Sequence, residues 1–230
     1  MKIKILLGLV CFSINQLQAQ NLSDNFNGTT VDTNLWTVIL PFGQSQISES
    51  GGYLTTTGRG TLATVSGFDS PIIISGKVTM NSQFEHFDTM LRTDLSVFPP
   101  LAQYHELNGI GVIFSADGNQ ISIQQFTPGE QNPILLGLGS FSFTVGQAYD
   151  FTITDDKNII TLSIDGNQLL SGASTFASGN LIAFESREFG GTSSSLDFVS
   201  IQSVPEPSSF ALAGLGILGL IGARKANRRA

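Results

Sequence analysis

Two histidines are the only side chains of this 230-residue chain that titrate near neutrality in the unperturbed state, and each stands beside carboxylates. In Phe84-Glu85-His86-Phe87-Asp88, an extended backbone puts His86 and Asp88 on one face, as half of a metal site. Tyr104-His105-Glu106 could supply the other half. A transition metal asks for more ligands than these, so both histidines are expected to be solvated. Oxygen chemistry has one opening, since Asp24 near the first strand could meet Asp197 in the last, and calcium is therefore the one cofactor left open. No Asp-x-Asp-x-Asp loop supports it. Cys11 is the lone cysteine, and a mature chain without it has no disulfides, thiol catalysis or thiolate metal sites.

Recognition chemistry would need exposed aromatics or unpaired cations. Trp36 lies in an amphipathic stretch and reads as core, whereas Phe84, Phe87, Phe98, Tyr104 and Phe189 fall in or next to expected loops and could stack on sugar rings. Arg92 and Arg187 could meet acidic sugars, but pairing with neighbouring carboxylates is the simpler expectation.

The elements that must position these groups are strands. Phe141-Ser142-Phe143-Thr144-Val145, Tyr149 to Thr154 and Ile160 to Ile164 alternate apolar and polar side chains, which sends one set to a core and the other to solvent. Asp155-Asp156-Lys157-Asn158 and Asp165-Gly166 are turns, the latter leading into Asn167 to Leu170. Ala116-Asp117-Gly118-Asn119 joins Gly111 to Phe114 with Gln120 to Phe126. Ser-x-Asp-Gly-Asn-Gln occurs at Ser115 to Gln120 and again at Ser163 to Gln168. Because the flanks differ, this reads as one turn chemistry used twice and not as a repeat. Further strands are expected at Trp36 to Leu40, Gln46 to Ser50, Tyr53 to Thr57, Thr61 to Ser66, Ile72 to Gln83, Thr89 to Val97, Leu181 to Arg187 and Ser195 to Gln202. No long helical period interrupts them. So many strands predict an all-β, two-sheet antiparallel sandwich.

Both flanks differ from this domain. Residues 1–19 carry Lys2 and Lys4, an apolar run from Ile5 to Ile14 and a small Ala19, the plan of a secretory signal peptide. Val10 before Cys11 argues against lipidation. After the domain at 20–203, Val204-Pro205-Glu206-Pro207 introduces an apolar run, and Arg224, Lys225, Arg228 and Arg229 follow it. The prolines end the preceding strand. The run, at about 208–223, suits a short membrane-spanning helix, with its basic end on the cytoplasmic side and the domain outside. Setting aside Glu206, 17 of the 18 acidic residues lie in the domain, against five of the 11 basic ones (Arg59, Lys77, Arg92, Lys157 and Arg187). That balance disfavours nucleic acid as a partner.

The segment 204–230 resembles the PEP-CTERM sorting signal, which joins a Pro-Glu-Pro motif, a short Gly-rich apolar helix and an Arg cluster. The resemblance implies that a membrane protease, exosortase, cuts near Pro205-Glu206-Pro207 and passes the protein to the cell surface or extracellular polysaccharide. Asp24-Asn25-Phe26-Asn27-Gly28 and the following Asp32 to Trp36 resemble the opening of concanavalin A-like lectin/glucanase jelly rolls. Gly111 to Ser115 and Leu162 to Gly166 are similar to that superfamily's paired strands. Its hydrolases carry Glu-x-Asp-x-Glu on one strand, which presents acid and nucleophile together. Glu49, Glu85, Glu106, Glu130, Glu185 and Glu188 all lack an aspartate two positions on, so no catalytic residue carries over. The expectation is an exported, transiently membrane-anchored, non-catalytic protein whose partners are the protease and polysaccharide. The alternatives are a glycan-active hydrolase or lyase and a purely structural matrix protein. A crowded sheet face, an open aromatic groove, or a groove with two carboxylates would separate the three.

Overall fold

The computed structural model describes residues 20–40, 45–96, 107–130, 132–186 and 193–204. The signal segment, the apolar run, and the residues Phe98, Tyr104, His105, Glu106, Arg187, Phe189, Pro205, Glu206, Pro207, Arg224, Lys225, Arg228 and Arg229 lie outside that set.

Among the described residues there is no helix, and fifteen strands follow in chain order: β1 (Asn21–Asp24), β2 (Trp36–Ile39), β3 (Gln46–Ser50), β4 (Tyr53–Thr57), β5 (Thr61–Thr64), β6 (Ile72–Met80), β7 (His86–Thr93), β8 (Gly109–Ser115), β9 (Gln120–Phe126), β10 (Ile134–Ser140), β11 (Ala148–Asp155), β12 (Ile159–Ile164), β13 (Asn167–Ala173), β14 (Leu181–Ser186) and β15 (Ser193–Ser203). They form two antiparallel sheets. One runs β13-β12-β11-β6-β15-β4-β3, with β1 also beside β15; the other runs β10-β9-β8-β7-β14-β5-β2. This is the two-sheet antiparallel sandwich that the alternation predicts, in the jelly-roll form that the resemblance implies.

The first sheet alternates cleanly. On β6, Ile72, Ile74, Val78 and Met80 turn inward, and Tyr149, Phe151 and Ile153 on β11 and Ile160, Leu162 and Ile164 on β12 do the same. Facing them are Leu62, Phe87, Leu91, Ile110, Val112, Phe114, Ile121, Ile123, Ile182 and Phe184 from the second sheet. Every buried apolar side chain of this main core lies between Leu22 and Ile201. The chain ends of the sandwich meet, because Asn21 pairs with Gln202 and Leu22 with Ile201.

The second sheet departs from the expected solvent face. Its central strands β5, β7, β8 and β14 are buried along nearly their whole lengths. The outward residues Ala63, Met90, Ile113, Phe126 and Ala183 form a second apolar cluster with Leu107, and Leu95 packs on it. Strands buried on both faces read as continuous apolar runs, as Gly109–Ser115 does.

Phe141 to Val145 is not a strand; the ladder partner of β9 is the preceding Ile134–Ser140, whose two glycines disguise it. The alternation at 141–145 instead fills a sandwich end. Phe141 and Phe143 meet edge-on with centroids 4.8 Å apart, and both pack edge-on to Tyr149, at 5.3 and 5.5 Å. The backbone there bonds to loop groups: Phe141 N–H to the Asn119 carbonyl, and Thr144 N–H to the Tyr149 hydroxyl. Nor do the twin hexapeptides make the same turn. Ser115 to Gln120 closes over four residues with positive φ at Asn119, whereas Ser163 to Gln168 closes over Asp165 and Gly166, both at positive φ. The second is the tight two-residue hairpin.

Candidate functional site

Alternate positions of a strand share a face, so the outward set of the second sheet can be read by register. It brings Asp88 on β7 directly opposite Glu185 on β14, and Thr61 on β5 opposite the other side of Glu185. Directly opposed residues have Cβ atoms about 4.5–5.5 Å apart. Both carboxylates are buried, Asp88 at 1% and Glu185 at 4% exposure. The Thr61 hydroxyl donates to Glu185 Oε1 at 2.8 Å, while Oε2 has no hydrogen-bond partner among the described residues.

Burial, and then the charge of Asp88 across the ladder, push the Glu185 carboxyl up to about 8, against the Thr61 hydrogen bond and the Arg59 charge, which pull it down. At neutral pH Glu185 is therefore a carboxylic acid, buried beside Asp88. The folded chain holds a proton at Glu185 that the unfolded chain releases above about 4.5. This contribution to stability is complete below that pH and is lost as pH rises through about 8. Unfolding free energy measured in urea should fall between pH 5 and 9 by on the order of a few kcal/mol, and Glu185→Gln should flatten the profile. An unchanged slope in the glutamine variant would show that the proton sits elsewhere.

One register step along the sheet, His86 on β7 faces Ser115 on β8. Its Nε2 lies 2.7 Å from Asp117 Oδ1 and 3.1 Å from the Ser115 hydroxyl, which itself donates to Asp117. These are the residue types of a hydrolytic triad in the wrong arrangement. Serine and aspartate meet the same ring nitrogen, so no relay passes through the imidazole. Burial alone pushes the Asp117 carboxyl up, but the hydrogen bonds from Ser115 and His86, with the His86 charge, outweigh it and hold it below the usual range. The cluster closes the β8–β9 turn.

His86 and Asp88 do share a face, as expected for alternate positions of β7, yet Asp88 opposes Glu185 and His86 bonds Asp117. Asp24 accepts from Trp36 Nε1 at 2.7 Å and from Phe26 N–H at 2.9 Å, whereas Asp197 pairs with Lys77 at 3.9 Å. Each of these aspartates has a partner of its own. Among the described residues no three His, Cys, Asp or Glu side chains gather at metal-binding spacing. Trp36 is buried between Phe26 and Phe184, with ring centroids 6.4 and 6.0 Å away. Of the aromatics weighed for sugar stacking, Phe87 is core, and Phe84 is 57% exposed. Arg92 takes the simpler of its two expected roles: Nε and Nη2 donate to Asp155, and Nη1 donates to the carbonyls of Ser174 and Phe176 at 3.0 Å each.

Residues 203–229 match the family model for the PEP-CTERM protein-sorting motif. The chain thus carries that motif from Ser203, the final residue of β15, onward, and Val204, Pro205, Glu206, Pro207, Arg224, Lys225, Arg228 and Arg229 all fall within the match. The folded part is similar to jelly-roll glucanases and a galectin-like protein. A Bacillus licheniformis β-glucanase aligns at 11% identity and TM-score 0.60, covering 80% of this chain and 98% of that one. The endo-β-1,3-glucanase from Pyrococcus furiosus aligns at 13% identity and TM-score 0.56, covering 79% and 93%. A Bacillus subtilis protein of unknown function with a galectin-like fold aligns at 14% identity and TM-score 0.55, covering 74% and 90%. At such identities the likeness is one of fold. Among curated proteins, none matches the chain.

Proposed function

We propose that this is an exported protein, processed by an exosortase-type membrane protease and delivered to the cell surface or extracellular matrix, where its jelly-roll domain binds glycan without cleaving it. The observation that carries the export and sorting half is the PEP-CTERM match, which begins at Ser203, the final residue of the last strand. In this reading Pro205-Glu206-Pro207 stands just outside the membrane, while the basic residues hold the other end of the apolar run inside. Support for the non-catalytic half comes from the second sheet. Its two opposed carboxylates are buried, on the face that also carries the apolar cluster of Met90, Leu107, Ile113 and Phe126.

One observation favours a second reading as a glycan hydrolase: Glu185, held protonated at neutral pH, lies directly opposite a second carboxyl group, Asp88, and such chemistry uses a pair of carboxyl groups. Two measurements separate the readings. Mass spectrometry of the exported protein from its native host should find a C-terminus within the tail, and alanines at Pro205-Glu206-Pro207 should leave it exported but uncut. A C-terminus at Ala230 on the exported form would remove the sorting role. Pull-down on insoluble polysaccharide should retain the domain with no reducing ends released, and release that is lost in Glu185→Gln would make it a hydrolase.

A further inference from the structure

At one end of the sandwich, three loops converge on the last residues of β7. They are the β5–β6 loop around Asp69, the β11–β12 turn at Lys157 and Asn158, and the β13–β14 loop from Ser174 to Asn180. They enclose an open pocket of about 530 Å³, within the range of small-ligand sites. Its walls are held in place from behind. Buried Arg92 spans from Asp155 to the Ser174 and Phe176 carbonyls, and Asp155 also accepts from Ser70 and from the Lys157 N–H. Phe68 N–H donates to the Asn180 carbonyl, and the N–H groups of Ser178 and Gly179 donate to that of Arg92. The loop passes so close to β7 that a Cβ on Gly179 would stand 2.4 Å from the Thr93 carbonyl oxygen. Arg92 and Lys157 are both at positive φ, +53° and +81°, conformations that bulky residues rarely adopt and that gather where a structure holds groups for function.

We infer that this pocket binds one neutral pyranose unit of a polysaccharide through its hydroxyls, which rests on the glycan-binding reading above and gives it a site. The chemistry of the walls selects the ligand class. Asp69 offers a carboxylate, Lys157 an ammonium, Asn158 and Asn180 amides, and Thr175 a hydroxyl, all in or at the edge of solvent. Each can pair with a sugar hydroxyl, which donates and accepts at once. The Arg92 charge is spent on Asp155 behind the wall, and Lys157 and Asp69 have opposite signs, so the pocket offers no excess of charge to a phosphate or a uronate. The surrounding domain, with 17 acidic and five basic residues, repels polyanions further. Phe68 and Ala177 add apolar wall, on which the C–H face of a sugar ring can rest. Arg92 is a positioning residue here, while Asp69 and Asn180 are expected to touch the sugar; at present the Asn180 amide donates to Asp69 at 3.3 Å.

The test uses the chain from Gln20 to Glu206, which contains the whole core, in affinity electrophoresis through β-1,3-glucan, mannan and alginate. The wild type should be retarded by a neutral polymer and not by alginate. Asp69→Ala and Asn180→Ala, both at exposed positions, should weaken retention at least tenfold with unchanged melting temperature, and the Asp69→Asn change should restore part of it. Retention equal to wild type in both alanine variants would overturn the pocket assignment and leave glycan binding standing elsewhere on the surface. Retardation by alginate alone would overturn the neutral ligand class. No retardation of the wild type by any polymer would overturn the glycan reading and this site with it.

Discussion

Asp155→Ala should lower the unfolding free energy of the domain by about 3–5 kcal/mol, because it leaves the Arg92 charge buried without its counter-ion. The aspartate side chain is wholly inaccessible and that of Arg92 is 8% exposed, so water cannot replace the lost partner. Four donors converge on Asp155: Arg92 through two nitrogens, the Ser70 hydroxyl and the Lys157 N–H. Their loss reaches the β5–β6 loop, β7 and the β11–β12 turn together. Removing both charges at once is a different experiment. An Arg92→Met, Asp155→Leu double variant should recover much of the loss, since a buried ion pair replaced by apolar groups of similar size is often neutral. Equilibrium unfolding in urea measures both. A single-variant loss under about 1 kcal/mol would show that solvent reaches the pair.

Phe151→Ala should cost a similar amount, about 3–5 kcal/mol, by a different mechanism. Phe151 lies at the middle of the main core, 1% exposed, its ring 5.6 Å from that of Phe114 and 6.2 Å from that of Phe87 across the sandwich. On its own sheet it covers Gly76 of β6, its register partner, where a Cβ would come within 2.7 Å of the ring. The glycine is the space that the ring fills. Truncation to alanine opens a cavity between three strands that no neighbour can close, whereas Phe151→Leu, which keeps most of the volume, should cost clearly less. A loss below about 1 kcal/mol in the alanine variant would mean that the sheets close over the gap.

These two sites mark how far the sequence could be read. Phe151 was legible because period-two alternation is local: Tyr149, Phe151 and Ile153 declare their face within six residues. The same logic placed Trp36 in the core and gave an all-β sandwich with no helix among the described residues. It failed where local pattern and long-range pairing part company. Phe141 to Val145 alternates because its rings plug a sandwich end, and Ile134–Ser140 pairs although glycines break its alternation. The second sheet's outward cluster was invisible for the same reason, as were the opposed Glu185 and Asp88. Their partnership exists only through the β7–β14 register, and no spacing along the chain encodes it. A search confined to one strand finds no acid pair at Glu185. Arg92 carried one usable signal, scarcity: with five cations in the domain, pairing with a neighbouring carboxylate is the simpler expectation, though the chain does not say which one or that it is buried.

The last strand among the described residues is not at an edge. β15 pairs with β6 along one side and with β4 and then β1 along the other, so it bridges the first-made and middle parts of the eight-stranded sheet. A polypeptide that is synthesised or threaded through a membrane from its N-terminus cannot complete this sheet until Ser203 has emerged. Until then β6 has one open side and β1 has no ladder at all. Completion is therefore vectorial and late, and the sorting motif starts where the final ladder ends.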